Sequence, residues 1–461
     1  VEFRTSCDIF AVLPPSERNE VIFGKNADRP VHEVQEVVLI KDRPREAMLK
    51  VRKQKFSLNN SQQCTHITIT ESTEPINAVI LNKPAWTWGA EMGANDKGVA
   101  IGCEPIPTRH NTNDGDASQK RLIGMDFRGK TAEEALDVIT KLLEEYGQGG
   151  PTSEIDDGQY YHISFLIADP KEVWILETSG KIWVAQKFTT GYRNITNCVT
   201  ISTEIHKHCE DLQARAIALG LWHGKGEFNF RVAFESPRRY RDNYRLDGGS
   251  FLLLNATEKG NFGVEEMFKI LRNEATKICR IYPDLTPTMG SQVSSLSNDG
   301  LSVHWFTATP YPCFSYYKPF VFTPNAEISP YTKSPNEVCF EKLPGREHAL
   351  YKAHERFGQI GMTCDKTKLL REIEHGYVQE ISEYIAKHKA NQLNLEELDS
   401  LMKTCVETEM LILIKHILIE IIHITPYRLY IIVSQVQIKK PISMIFTSMY
   451  LTINILRTYY F

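Results

Sequence analysis

The stretch that decides the fold is Cys7-Asp8-Ile9-Phe10-Ala11-Val12, followed after a turn by Val21-Ile22-Phe23-Gly24-Lys25-Asn26-Ala27-Asp28-Arg29. Cys7–Val12 alternates apolar and polar residues only loosely and reads as a strand. Val21–Gly24 is a second short strand, and Pro14-Pro15-Ser16-Glu17-Arg18-Asn19-Glu20 between them is turn chemistry. The two runs form a hairpin with a cysteine at its first position. Lys25–Arg29 then reads as a polar loop leaving the second strand.

Working outward, Val34–Ile40, Thr65–Thr70, Ala78–Leu81 and Gly98–Ile101 read as further strands. Thr131–Tyr146 is the clearest helix. Thr131 and Glu134 have capping-box spacing, Ala132, Ala135, Leu136, Ile139, Leu142, Leu143 and Tyr146 make one stripe, and Gly147-Gln148-Gly149-Gly150 stops it. Ile163–Ala168, Glu172–Glu177 and Lys181–Gln186 form a strand ladder, and Val264–Ile270 begins another helix. Val303–Ala308 and Pro319–Phe322 return to strand, while residues 366–405 favour helix throughout. Strands at both ends with helices between them predict an α+β fold and not alternating βαβ units. No internal repeat of about 20–50 residues is visible.

The 461 residues carry 53 Lys+Arg against 57 Asp+Glu, a net charge of −4, with 42% hydrophobic residues. These values are those of an ordinary globular chain. The balance argues against a nucleic-acid partner held through phosphate contacts. No charged segment followed by an apolar core opens the chain, so no secretory signal is expected. The ten cysteines are scattered without a C-x-x-C pair, which argues against a zinc ribbon or thioredoxin motif and for reduced thiols in the cytoplasm. His206-Lys207-His208-Cys209 is too tightly spaced for a zinc site without distant partners and reads as a solvated loop.

Cys7 is the first candidate for chemistry. A cysteine at a strand start, seven residues into the chain, suits N-terminal-nucleophile hydrolysis. A leader is removed, the thiol attacks a carbonyl, and the freed α-amine serves as base with an unperturbed pKa near ~8. Asp28 beside such an amine would orient it and tune its proton affinity, and Lys25 or Arg29 could depress the thiol pKa. The plainer reading of Cys7 is a buried small residue, and of Lys25–Arg29 an Asx-type turn. Trp86-Thr87-Trp88-Gly89-Ala90-Glu91-Met92-Gly93-Ala94-Asn95-Asp96-Lys97-Gly98 could bring backbone amides against an oxyanion, or could simply be a packed hairpin.

These segments, together with Glu33-Val34-Gln35-Glu36-Val37-Val38, Tyr146-Gly147-Gln148-Gly149-Gly150, Trp174-Ile175-Leu176-Glu177-Thr178, Arg193-Asn194-Ile195-Thr196-Asn197, Phe306-Thr307-Ala308-Thr309-Pro310 and His348-Ala349-Leu350-Tyr351-Lys352-Ala353-His354, resemble the secernin family. That family lies within the C69 peptidases that include the bacterial dipeptidase A type. The resemblance spans roughly residues 5–410 and extends distantly to choloylglycine hydrolases.

The resemblance implies an Ntn-hydrolase fold, a four-layer αββα sandwich of antiparallel sheets with a helical C-terminal region. It implies Cys7 as nucleophile, Asp28 on its amine, Asn197 as a substrate-polarising group and Arg239 as a late arginine supporting the nucleophile, with Arg238 and Arg241 as adjacent choices. Lys25, Asn26, Arg29, Trp88, Asn95 and Cys103 become candidates for substrate or oxyanion contact. Secernins usually read Gly-Asn-Glu where this chain has Gly102-Cys103-Glu104. The expected function is a cytoplasmic cysteine-type dipeptidase or amide hydrolase that needs no metal or organic cofactor. Its expected substrate is a small peptide or amide, most plausibly a dipeptide with a free N-terminus. The alternative is a non-catalytic regulator of exocytosis with a secretory-machinery partner.

The expected organisation is a removable leader at 1–6, an Ntn-hydrolase-like domain at 7–345, a helical segment at 346–410 and an atypical tail at 411–461. That tail has 14 Ile, no Gly or Ala and one acidic residue, Glu420. Its longest uncharged run, Pro441–Leu456, falls short of the roughly 18–20 apolar residues of a membrane span.

Overall fold

A computed structural model describes residues 6–16, 19–41, 77–87, 89–110, 128–149, 153, 161–236, 243–335, 345–359 and 364–424. The expected strand Thr65–Thr70 and most of the tail lie outside them. The chain divides into two compact units, 1–410 and 411–461.

The strands, in chain order, are β1 (Ser6–Val12), β2 (Val21–Asp28), β3 (Gln35–Ile40), β4 (Val79–Pro84), β5 (Met92–Asn95), β6 (Ala100–Ile106), β7 (His162–Ala168), β8 (Val173–Ser179), β9 (Ile182–Phe188), β10 (Tyr192–Thr196), β11 (Lys207–His208), β12 (Thr288–Leu296), β13 (Val303–Phe306) and β14 (Lys318–Phe320). The helices are α1 (Ala132–Tyr146), α2 (Leu212–Ala218), α3 (Phe230–Phe234), α4 (Asn243–Thr257), α5 (Val264–Leu271), α6 (Ala349–Gln359), α7 (Cys364–Lys389) and α8 (Leu401–Ile424). Among the described residues no helix is long and apolar enough to cross a membrane.

The strands make two antiparallel sheets. One has six strands in the order β10-β1-β2-β12-β13-β14, and the other has eight in the order β11-β9-β8-β7-β6-β5-β4-β3. β1 and β2 pack face to face on β6, α4 and α5 cover the outside of the six-stranded sheet, and α1 and α2 cover the outside of the other. The result is an α+β sandwich of four layers, αββα. The outer core on the α5 side holds Phe10, Val12, Ile22, Met267, Phe268, Leu271, Val293 and Trp305.

Local sequence explains most of these elements. The Thr131 side chain accepts from Glu134 N–H, while the Glu134 carboxylate reaches Lys130 N–H, so the cap closes one residue earlier than a strict capping box. Gly147 ends α1 at φ 73°, a conformation that favours glycine. The hairpin expected from Cys7 to Gly24 forms, but β2 continues through Asp28, so Lys25–Asp28 are strand and not loop. Several elements were not anticipated, β10, β11, α2 and α3 among them, and β12 and α4 show why. β12 is wholly buried, yet it offers Thr288, Ser291, Gln292, Ser294 and Ser295, so apolar alternation is missing. α4 contains Gly248-Gly249, which reads as a turn. In the fold these glycines let the helix close on Thr276, Asn194 and Phe10, the nearest atoms to an added Cβ lying at 2.7–2.9 Å.

The contact between sheets turns on Gly102. A Cβ there would stand 2.8 Å from Lys25 Cδ, 3.0 Å from Phe23 Cζ and 3.2 Å from Ile9 Cδ1. Lys25 therefore crosses the inter-sheet space over a bare backbone. Gly102→Ala is expected to cost about 1–3 kcal/mol of stability through overpacking, measured as a lower urea midpoint with unchanged slope.

Candidate active site

Alternation along β1 sends Cys7 and Ile9 toward the opposite sheet and Asp8 and Phe10 toward the helices. The register pairs Ser6 with Asp28, Cys7 with Ala27 and Ile9 with Lys25. The thiol thus shares the inter-sheet face with Lys25, while Ser6 and Asp28 share the other. The Cys7 backbone lies where the two faces meet.

Four elements converge on that backbone. Cys7 N–H donates to Asn197 Oδ1 at 3.0 Å, just past the end of β10. The Cys7 carbonyl accepts from Thr196 Oγ1 at 3.2 Å and from Arg245 Nη1 at 3.1 Å. Arg245, in the first turn of α4, also donates to Asp8 Oδ2 at 2.8 Å and to Asn197 Oδ1 at 2.6 Å. Asn197 Nδ2 donates to the Pro105 carbonyl at 2.7 Å, which ties the group that holds Cys7 N–H to the second sheet. On the other side, Asp28 Oδ2 accepts from Ser6 Oγ at 2.5 Å and Oδ1 from Thr288 Oγ1 at 2.7 Å. Arg280 donates to Ser6 Oγ and stands 4.0 Å from Asp28.

Every one of these groups except Arg280 is nearly or wholly buried, and burial governs their titration. Burial pushes the Cys7 thiol up to about 12; Lys25 opposes the shift, and Glu91 and Asp28 add to it. Burial likewise raises Asp8 to about 6 against the pull of Arg245, and raises Asp28 against Arg280 and Arg245. Burial pulls Lys25 down, but the acidic groups Cys7, Glu91, Cys103 and Glu104 outweigh it and keep the lysine charged. With Ser6 still attached, then, the thiol is protonated at neutral pH and sits beside a permanent cation.

A small half-open pocket, with room at its floor for a group about the size of one water, is lined by Glu91, Cys103, Glu104, Pro105, Tyr161 and Ile163. Glu91 lies near enough to act electrostatically on Cys7, and Cys7 on Cys103, so this cleft adjoins Cys7.

The structure thus gathers Cys7, Asp28, Asn197 and Lys25. It directs other expected residues elsewhere. Asn26 Nδ2 donates to the Leu271 and Ile278 carbonyls and its Oδ1 accepts from Ser291, so it faces the helices. Arg29 is held by Glu33, Glu91 and Tyr161 and supports the site's rim instead of the thiol. Asn95 shapes its own turn, accepting from Lys97 and Val99 N–H and donating to the Gly129 carbonyl. Cys103 lines the cleft, but its N–H is given to the Glu91 carbonyl and its thiol faces the Ala90 carbonyl at 3.9 Å, so it offers an oxyanion no donor. Trp88 and Arg239, with Arg238 and Arg241, lie outside the described residues.

Among the described residues, the arginine that reaches the Cys7 backbone is Arg245. Sequence reasoning missed it, as it missed Arg280, because no local pattern distinguishes it; only the helix that Gly248-Gly249 disguises brings it in. Among the described residues no group of His, Cys, Asp and Glu is placed to hold a metal ion.

No family model matches this chain. A cysteine-to-alanine mutant of conjugated bile acid hydrolase from Clostridium perfringens has 13% identity and a TM-score of 0.38, over 69% of this chain and 92% of its own. An arginine-to-leucine variant of that enzyme also has 13% identity and a TM-score of 0.38, over 65% and 89%. The N-acylethanolamine-hydrolyzing acid amidase ortholog of Caenorhabditis elegans has 11% identity and a TM-score of 0.33, over 62% and 91%. All three resemble the chain loosely.

Arg245 supplies the site's sharpest structural test. Removing one partner of a buried pair strands the other, so Arg245→Met is expected to cost about 3–5 kcal/mol. Adding Asp8→Asn should restore part of that loss, because the stranded charge is gone. Urea unfolding of the two single variants and the double variant measures the coupling.

Proposed function

We propose that this chain is a cysteine-type N-terminal-nucleophile amide hydrolase of the secernin or C69 dipeptidase type, with Cys7 as the nucleophile. The observation that carries the reading is the convergence on the Cys7 backbone nitrogen: Asn197 holds it, Arg245 fixes the adjoining carbonyl, and Asp28 stands opposite with an oxygen that accepts from Ser6. A merely structural cysteine needs none of this.

In the first step the Cys7 sulfur attacks the Ser6 carbonyl carbon. The Ser6–Cys7 C–N bond breaks, the nitrogen takes the thiol proton, and water hydrolyses the resulting thioester to a Ser6 carboxylate and free Cys7. Loss of Ser6 empties the hydrogen-bond position on Asp28, and the new α-amine takes it as a charge-assisted donor. The amine then accepts the thiol proton, the thiolate attacks the substrate carbonyl, and the protonated amine gives its proton to the departing nitrogen. Lys25 stabilises the anion throughout. Water and the same amine release the acyl group.

The substrate is a small amide, a dipeptide in the first instance, and the expected compartment is the cytoplasm. A second reading, a non-catalytic regulator of secretion, is favoured by one observation: Cys103 supplies no oxyanion donor, a loss that typically costs about 10²–10³ in rate.

Turnover on a dipeptide panel separates the two. Cys7→Ala is expected to abolish cleavage, and Asp28→Asn, which keeps shape but removes charge, to lower kcat by roughly 10²-fold with little change in stability. A parent protein that cleaves nothing supports the regulatory reading. An Asp28→Asn variant within about twofold of the parent removes Asp28 from the mechanism.

A further inference from the structure

The cleft beside Cys7 contains a carboxylate with no assigned task. Glu104 is 1% exposed, and its Oε2 has no hydrogen-bond partner, while Oε1 accepts only weakly from Ser164 Oγ at 3.3 Å. Burial, with Asp8 nearby, holds the Glu104 carboxyl well above the usual range, and a cation brought against the unpaired Oε2 would draw it to the charged form. The Arg245 guanidinium is engaged with Asp8, Asn197 and the Cys7 carbonyl, and Lys25 Nζ donates to the Asn26 carbonyl at 3.3 Å. Neither is bonded to Glu104. Among the described residues the cleft's lining includes two acidic side chains, Glu91 and Glu104, and no lysine, arginine or histidine, although the charges of Lys25 and Arg245 reach Glu104. Glu91 is already paired, with Arg29 at 3.4 Å and Gln35 at 3.2 Å. Glu104 is the lining carboxylate with an oxygen to offer.

We infer that Glu104 binds the free α-ammonium group of the substrate, so that the site selects unblocked aminoacyl amides over N-acylated or desamino ones. This rests on the proposed hydrolase reading for its catalytic consequence, but not for the binding itself. The geometry suits it. An α-nitrogen is two bonds from the scissile carbonyl carbon, so the group that recognises it has to stand beside the nucleophile. Glu104 is next to Cys103 on β6, the strand against which β1 packs. An ammonium entering the cleft supplies both the donor that Oε2 lacks and the charge that a pair of lining carboxylates favours. A desamino substrate brings neither; an N-acyl substrate keeps one amide N–H but no charge, and adds an acyl group where the pocket has no room for it. Selection by a stranded polar group is stronger than selection by shape alone. The pocket floor has room for a group about the size of a water, which an ammonium head matches.

Two measurements on the full-length protein test this. In the first, ligand-observed NMR titration compares L-alaninol, which carries an ammonium, with propane-1,2-diol, which replaces it by a hydroxyl; neither has a bond to cleave. The parent is expected to bind alaninol about tenfold or more tightly, the worth of a charge-assisted hydrogen bond, and Glu104→Gln to erase the difference. In the second, kcat and KM are compared for Ala-Ala and for its desamino counterpart, propionyl-Ala. Glu104→Gln is expected to raise KM for Ala-Ala by about tenfold and to leave propionyl-Ala unchanged or improved. A parent that binds alaninol and the diol equally, or binds neither, overturns the inference whatever the turnover shows. A preserved preference without any turnover keeps the inference and defeats the hydrolase reading instead. Glu104→Asp, which keeps the charge, should retain part of the preference.

Discussion

A guanidinium buried at the end of a strand has to be met by acceptors on every side, and Arg245 imposes that constraint on this molecule. It is 5% exposed and bonds to Asp8, to the Cys7 carbonyl and to Asn197. Those partners belong to β1 and to the chain just past β10, and Arg245 itself to α4. Asn197 extends the set to β6 through the Pro105 carbonyl. Without all of them, a charge would be stranded in a medium that tolerates none. The same demand that locks helix to sheet and sheet to sheet therefore also fixes the nitrogen and carbonyl of Cys7. Stability and pre-organisation come from one set of bonds.

The polar β12 follows from a related need. Its Thr288 and Ser291 hydroxyls serve Asp28 and Asn26, so the strand beside β2 is built to satisfy buried polar groups more than to add apolar area. Thr288 thereby helps hold the carboxylate that Arg280 neutralises from outside.

The parts of this arrangement legible in the sequence were those with a local signature. Cys7 stood out through the hairpin, Asp28 through the polar run that follows it, α1 through its cap and glycine stop, and the β7–β9 ladder through its three closely spaced strand-like runs. What escaped notice was set by tertiary contact. Lys25–Asp28 looked like loop because polar residues there are buried between layers. Asn26 and Cys7 differ in the face they present, which only strand register decides. Arg245 and Arg280 are ordinary surface-type residues until the fold buries one and brings the other to Ser6. Glu104 was visible only as part of a motif, and its unpaired oxygen belongs to the three-dimensional cleft.

The account turns on a difference between two chemical states of Cys7. With Ser6 attached, the thiol is pushed up to about 12 and Asp28 is occupied by a hydroxyl. With Ser6 gone, Asp28 holds the freed amine beside the thiol; the amine takes the thiol proton, and the resulting ammonium stabilises the thiolate. The direct measurement is the intact mass and N-terminal sequence of the native protein beside those of its Cys7→Ala variant. The account predicts a parent that begins at Cys7 and a variant that keeps Ser6. Parent protein in which Ser6 remains joined to Cys7 would contradict it, because the base on which the mechanism depends would never be released.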